Sequence, residues 1–405
     1  MKAYSHISQL LTLNGAHQKD GRKLSDNDLS IIEDATIVMD ENIIHWVGKT
    51  SELPDDYKSI PSINLSNHIV TPEIVDSHTH LVFGGNRSFE YGLRLKGASY
   101  EEIAEAGGGI LHTMEKTRHL SEEELFQASI LKVQQIASYG VGTIEVKSGY
   151  ALSFEGEYKL SKVIDRLQKH FAPKIQIIRT YMAAHAVPKS FSSSAEYISE
   201  VVIPLMERLA EEKLIDIVDI FHEQNYFTDE DTRSLFNKAQ SLSLKVKMHA
   251  DELNDNNGAE IAAEHAALSA DHLLQISDKG IRALANSNTV ATILPGTAFF
   301  LGKSLAPARN LIDAGAKVAI ASDYNPGSCH CDNIMLLTSM AGKNLKMTPV
   351  ELWSAITLNA SHALGLNEQG ALIPGLKPRI SIFKVQTHEE IFYSWGKNLA
   401  VTSAN

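Results

Sequence analysis

Ile69-Val-Thr-Pro-Glu-Ile-Val-Asp-Ser-His-Thr-His80 is the stretch on which the reading of this chain turns. It is apolar and β-prone, and it ends in two histidines one residue apart. Alternate side chains of a strand point to the same face, so His78 and His80 look the same way. Two imidazoles on one face at a strand end can share one divalent ion.

Downstream of this stretch, β-prone runs alternate with helical patterns, the mark of a parallel sheet. Strands are expected to end near His80, Lys147, Met182, His222, His249, His272, Leu294 and Asp323. Between them, Phe126, Ile130, Val133 and Ala137 share one helical face ahead of Gly140, a natural stop. Ile198, Val202, Leu205 and Leu209 form another, which Pro204 should kink or split. Thr348-Pro-Val-Glu351 combines a capping box with proline at the first helical position, and Gly365 can end the helical stretch beyond it. The class is α/β, and the count of strand–helix units predicts a (β/α)₈ TIM barrel with its active site at the strand C-terminal ends.

Both ends of the chain are β-rich. Ile37-Val-Met39 and Ile43-Ile-His-Trp-Val47 flank a turn at Asp40-Glu41-Asn42, and Ile380-Ser-Ile-Phe-Lys-Val385 alternates near the other end. Neither end holds enough strands to bury a core alone. The expected organisation is a small β-sandwich built from 1–67 plus 371–405 around a catalytic barrel at 68–370.

Composition narrows the partners. The 405 residues are 43% hydrophobic and 21% charged, with 37 Lys+Arg against 49 Asp+Glu and a formal charge of −12. No basic cluster stands out, which argues against nucleic acid and against anionic membranes. An anionic small-molecule substrate therefore needs a local basic anchor. Cys329 and Cys331 make neither a disulfide framework nor a common zinc ribbon. The first ten residues lack the apolar core of a secretory leader, and no apolar run is long enough to span a bilayer. The expected compartment is the reducing cytoplasm. Gly107-Gly-Gly109 reads as a flexible loop near the barrel mouth; it does not follow a strand as a nucleotide-binding loop would.

The strand ends carry the chemistry. Strand one offers His78 and His80, strand five (Leu244-Lys-Val-Lys-Met-His249) offers His249, and strand eight (Val318-Ala-Ile-Ala-Ser-Asp323) offers Asp323. Three imidazoles and one carboxylate make a ligand set for Zn²⁺ or iron, with room for a water. His272, ending strand six, is a further ligand, a partner to one, or an acid–base group. Glu252, three residues past His249, is placed to orient or deprotonate water. Asp271 reads as structural.

Together these segments resemble the amidohydrolase superfamily, and within it the imidazolonepropionase family. The resemblance rests on Asp76-Ser-His-Thr-His-Leu-Val-Phe-Gly-Gly-Asn-Arg87, Gly107-Gly-Gly-Ile110 and Glu145-Val-Lys-Ser-Gly-Tyr150. Ala184-His-Ala-Val-Pro188, His249-Ala-Asp-Glu252, Ser269-Ala-Asp-His272 and Ala321-Ser-Asp-Tyr-Asn-Pro-Gly-Ser328 extend it over the barrel. It implies one divalent metal, Zn²⁺ or Fe²⁺/Fe³⁺, on His78, His80, His249 and Asp323. It implies substrate contacts from Arg87, Tyr150, His185, Glu252, Asn325, Gly327 and Ser328, with Glu252, His272 and Asp323 as the catalytic groups. The implied reaction is hydrolysis of the cyclic amide of 4-imidazolone-5-propanoate to N-formimidoyl-L-glutamate in histidine degradation, and relatives of this family are often homodimers. An arginine suits that substrate's carboxylate on chemical grounds as well. The chain departs from the family pattern at Ala151, at His222, where Cys is commoner and where His adds a potential ligand, and at Glu252, where many relatives carry Gln, which makes position 252 a substrate or water contact rather than the sole base. Lys147 ends strand two and is read as an orienting cation or structural pair partner, so the ligand set favours a single metal. Two rival readings are an aromatic deaminase of the cytosine or guanine type and a catalytically inactive scaffold; the intact ligand set opposes the second.

Overall fold

A computed structural model of the protein describes residues 1–98, 102 and 108–401. The chain opens with β1 (Lys2–Leu11), β2 (Ile31–Met39), β3 (Ile44–Lys49), β4 (Ser62–Asn64) and β5 (Ile69–Pro72). Eight barrel positions come next, in β6 (Ile74–Asp76), β7 (Val141–Lys147), β8 (Gln176–Ala184), β9 (Ile217–His222), β10 (Lys245–Val246) with β11 (Met248–Ala250), β12 (Ser269–His272), β13 (Val290–Ile293) and β14 (Val318–Ile320). β15 (Ile380–Phe383) returns to the first group.

The barrel strands pair in parallel in the order β6-β7-β8-β9-β11-β12-β13-β14. Beyond the ends of β14 and β6 the barrel is drawn together: Asp323 N donates to His78 O and His80 N donates to Tyr324 O, both at 3.0 Å. Thr79 and Tyr324 thus form an isolated parallel bridge. The expected eight-strand barrel is present, with the histidine pair at its seam.

The opening stretch is not one strand. Pro72 has no N–H to continue a ladder, and the chain changes sheets there. Residues 69–72 pair with β1 and β15, whereas residues 74–76 pair with β7. Glu73 sits at the crossing, buried, with its carboxylate held by Arg379 and the Thr143 hydroxyl. His78 and His80 therefore lie past the end of β6, on the extended segment that closes the barrel.

The two chain ends do combine, in one mixed sheet of order β15-β5-β1-β2-β3 with β4 also on β1; a sandwich has two facing sheets. β1 pairs with β2 along one side, with a register shift between Tyr4 and Ile7, and along its other side its first part pairs with β4 and its last with β5. Ile7, Leu10, Ile37, Ile44, Val70 and Leu372 form the buried cluster of this unit.

The helices obey their sequence signals. The helix Glu122–Ser138 buries Leu125, Phe126, Ser129, Val133 and Ile136, slightly rotated from the expected face, and ends before Gly140 at φ +89°. Ahead of Pro204 the helical run opens into a wide turn at Ile198–Val202, because proline cannot donate to the preceding carbonyls. The Thr348–Glu351 capping box forms, and Gly365 has φ +70°. No helix among the described residues is long and apolar enough to cross a membrane.

Candidate active site and metal centre

At the C-terminal mouth of the barrel, His78 Nε2 and His80 Nε2 are 3.2 Å apart, and His249 Nε2 is 3.3 Å from His80 Nε2. Asp323 Oδ1 stands 3.5 Å from His78 Nε2 and 3.7 Å from His80 Nε2. Tetrahedral ligands on metal–nitrogen bonds of about 2.0–2.1 Å are themselves about 3.3–3.4 Å apart. The other ring nitrogens set the protonation. His78 Nδ1 donates to Asp271 Oδ2 at 2.7 Å and His249 Nδ1 to Asp219 Oδ1 at 3.2 Å. With those protons on Nδ1, each inward Nε2 presents a lone pair. Burial, and then the neighbouring Lys147 for His78 and His185 for His80, holds both imidazoles well below their ordinary pKa and hence neutral. Facing lone pairs at this spacing repel unless a cation lies between them, so the residues fit a divalent metal ion.

Asp323 is fully buried, its other oxygen taking the Thr297 hydroxyl proton, and desolvation raises its pKa to about 6. Its φ of +51°, with +81° at His272 and +50° at Asp251, puts left-handed backbone at three strand ends around the centre. Such conformations disfavour ordinary side chains and persist where surrounding packing enforces them.

Glu252 and His272 lie together, Glu252 Oε1 being 3.6 Å from His272 Nδ1. Burial first, then the carboxylates of Asp323 and Glu223, push Glu252 to about 8. Glu223 organises this corner, accepting from Leu253 N at 2.7 Å and Asn254 Nδ2 at 3.1 Å. On the opposite side His185 stacks on His80 with ring centroids 5.1 Å apart, and Tyr150 lies 5.4 Å from His185 and 5.8 Å from His80. His185 Nδ1 is engaged by Gly149 O at 3.0 Å, and burial brings its pKa down to about 4. Burial raises the Tyr150 pKa, so it stays a neutral phenol.

Arg87 is not free. Glu90 takes its Nε at 2.9 Å and its Nη2 at 2.7 Å, and also accepts from Gly109 N at 2.9 Å. A guanidinium has five N–H donors, so its Nη1 edge remains available. That edge lies over Gly327, where an added Cβ would fall 1.9 Å from Nη1. Asn325 makes the approach feasible: its Oδ1 accepts from Gly327 N and Ser328 N, both at 2.8 Å, while its Nδ2 donates to Asp323 O and Ser328 Oγ. Its amide is thus engaged within its own turn. Gly107 lies outside the described residues.

The model of the amidohydrolase family matches residues 69–403. An imidazolonepropionase of Bacillus thuringiensis is 42% identical over 395 residues, covering 96% of this chain and 92% of the relative. One of Bacillus mycoides matches to the same extent. The chain belongs to the amidohydrolase family, among the imidazolonepropionases. Solved structures share this amidohydrolase fold at much lower identity. A 5-methylcytosine deaminase from Klebsiella pneumoniae superposes with a TM-score of 0.72 at 16% identity, covering 97% of this chain and 93% of that one. A zinc-complexed atrazine chlorohydrolase from Arthrobacter aurescens gives 0.69 at 15%, covering 99% and 93%.

In this amidohydrolase His222 turns away from the metal centre. Its Nδ1 meets Thr232 Oγ1 at 3.0 Å and its Nε2 the Asn256 carbonyl at 3.2 Å. Nδ1 is engaged by the helix Asp229–Ser241 and Nε2 by the 251–258 loop, so neither is left to ligate. His222→Ala is expected to leave metal content unchanged while lowering Tm by a few degrees, checked by elemental analysis beside thermal unfolding.

Several site residues escape a reading by motif: Asp219 and Glu145 on inner strands, Lys247, Thr297 and Glu90. The available signal was a charged residue inside an otherwise apolar strand, as in Ile217-Val-Asp-Ile-Phe221 and Val246-Lys-Met248. Strands of a parallel sheet buried on both faces are ordinarily near-continuous apolar runs.

Proposed function

We propose that the protein hydrolyses 4-imidazolone-5-propanoate to N-formimidoyl-L-glutamate, with a catalytic unit at 68–370. The observation that carries this reading is the Nη1 edge of Arg87 over Gly327, in the turn that Asn325 ties back to Asp323, together with the cluster of His78, His80 and His249. A substrate with a polar ring and a carboxylate tail matches that layout. His78, His80, His249 and Asp323 hold the ion, and the donor set suits Zn²⁺ and Fe²⁺ alike. When bound, the ion lowers the pKa of water and polarises the carbonyl.

The chain's residues do the rest. Arg87 takes the propionate through its free Nη1 and Nη2 protons while Glu90 keeps the fork from swinging. Tyr150 donates to the ring and His185 accepts through Nε2. Asp323 accepts the proton of the attacking water, whose oxygen bonds to the ring carbonyl carbon. His272 supports the charge that develops on the carbonyl oxygen. Glu252, with a pKa near neutrality, passes a proton toward the ring nitrogen as the C–N bond breaks. The ring nitrogen departs as part of the formimidoyl group, the carbonyl carbon becomes a new carboxylate still bonded to the carbon that carries the propionate, and the tail stays anchored throughout. The two unpaired cysteines and the site chemistry suit a reducing cytoplasm.

The test is loss of the ring's ultraviolet absorbance in freshly made substrate, with product identified by mass. Arg87→Ala is expected to cut kcat/KM by about 30- to 1000-fold, the cost of about 2–4 kcal/mol for losing one partner of a buried charge-assisted pair. The loss should fall mainly on KM. A metal-loaded protein that leaves this substrate intact but releases ammonia from a cytosine or guanine sinks the assignment in favour of the deaminase reading.

A further inference from the structure

Behind the metal centre, five charged side chains are completely buried: Glu145, Lys147, Asp219, Lys247 and Asp271. They come from β7, β9, the break between β10 and β11, and β12, far apart in sequence. Their contacts form a continuous line. Asp219, which holds His249 Nδ1, accepts from Lys147 Nζ at 2.7 Å through its other oxygen. Lys147 reaches Glu145 Oε1 at 2.8 Å. The same Glu145 oxygen is 3.3 Å from Lys247 Nζ, which is 3.3 Å from Asp271 Oδ2, the atom that receives His78 Nδ1–H. Lys247 also donates to Ser77 O at 2.6 Å, next to His78 in the chain. Thr180 and Ser269 hydroxyls brace Glu145 and Asp271. Two ligand histidines are thereby joined through the barrel interior by alternating carboxylates and ammonium groups.

We propose that Lys147 and Lys247 are positioning residues for the metal centre, fixing the carboxylates that hold His249 and His78 with their Nε2 lone pairs turned inward. This rests on the ligand assignment above and adds to it the residues that set the ligands' orientation. A purely structural ion pair has no need to connect both histidines. A carboxylate between an imidazole and a lysine can rotate toward neither side without losing a buried charge-assisted hydrogen bond. The arrangement explains why strand five carries a fully buried lysine at its break, where Lys245 on the same strand is exposed.

The proposal has a sign that separates it from simple electrostatics. By Coulomb's law a buried ammonium near a cation site repels the cation, so deleting it should tighten metal binding. Positioning demands the reverse. The experiment measures Co²⁺ affinity by competition with a chromophoric chelator, and the visible spectrum of the Co²⁺ protein, well below Tm. It uses the wild-type protein, Lys247→Met and Lys147→Met. The expected result is affinity weakened by about tenfold or more, the usual scale for groups supporting a metal ligand, with a changed Co²⁺ spectrum. Equal or tighter binding with an unchanged spectrum overturns the proposal, whatever happens to Tm. If the lysine variants do not fold, Ser269→Ala decides, since it removes only the hydroxyl on Asp271. A drop of about threefold, one ordinary hydrogen bond, supports positioning; unchanged affinity and spectrum refute it. A wild-type protein that binds Co²⁺ but leaves the imidazolone intact fails the substrate reading alone. One that binds no Co²⁺ overturns both.

Discussion

His249→Ala is expected to leave the protein folded, largely free of metal after dialysis, and slower by about 10³-fold or more in imidazolone hydrolysis. The size reflects the contribution of a bound ion: several kcal/mol of charge stabilisation, where each 1.36 kcal/mol is about tenfold in rate. His249 sits at the end of β11, 3.3 Å from His80 across the centre, and is the ligand whose Nδ1 is tied to Asp219. Its loss removes one of three converging imidazoles and leaves Asp219 without that donor. Metal content by elemental analysis and turnover should fall together. A variant that keeps full metal occupancy and activity would show that the histidine cluster is not the working centre.

The second large effect is expected at Asp323→Asn. Asparagine has nearly the same shape, tolerates the left-handed backbone at this position, and can still accept from Thr297. It cannot accept a proton at neutral pH. We expect kcat to drop by about 10²- to 10⁴-fold, the range for removing a general base, with KM little changed. Stability of the metal-free protein should move the other way. Burial raises the Asp323 pKa to about 6, so its folded-state value lies above its unfolded value. The charged form is disfavoured in the fold, and stability is lost as pH rises from the ordinary carboxylate range through 6. At pH 8 the neutral amide avoids that penalty, and metal-free Asp323→Asn should melt no lower than the unsubstituted metal-free protein. Parallel kinetics and thermal unfolding check both halves. Unchanged kcat would remove Asp323 from the proton-transfer step.

Much of this site was legible along the chain because strand geometry is local. A period of two fixes which side of a strand a residue faces, and a parallel barrel places its reactive groups at the strand C-terminal ends. His78, His80, His249, His272 and Asp323 all lie at or just past such ends, and they converge. The substrate side was less legible. Arg87 was readable as an anchor, but its Nε side is claimed by Glu90 and its free edge is defined by the bare backbone of Gly327. Asn325 was readable as part of the pocket, yet its amide is engaged in shaping the turn. His222 had the right residue type and strand end but the wrong surroundings, because Thr232 and Asn256 claim both nitrogens. In each case the deciding partner is a side chain or a close approach that local periodicity does not encode.

The amino-acid sequence by itself determined the barrel, the pairing of the two chain ends, the family and the histidines that cluster at the mouth, since all of these arise from short-range patterns of apolar and polar residues and from motifs carried on single segments. Tertiary structure alone decided that the 69–80 stretch divides between two sheets, and that Asp219, Lys147, Glu145, Lys247 and Asp271 meet in one buried line. The reason is physical. A buried charge is tolerated only beside its counter-charge, and which strands bring the two together depends on barrel closure and stagger, a property of all eight strands at once.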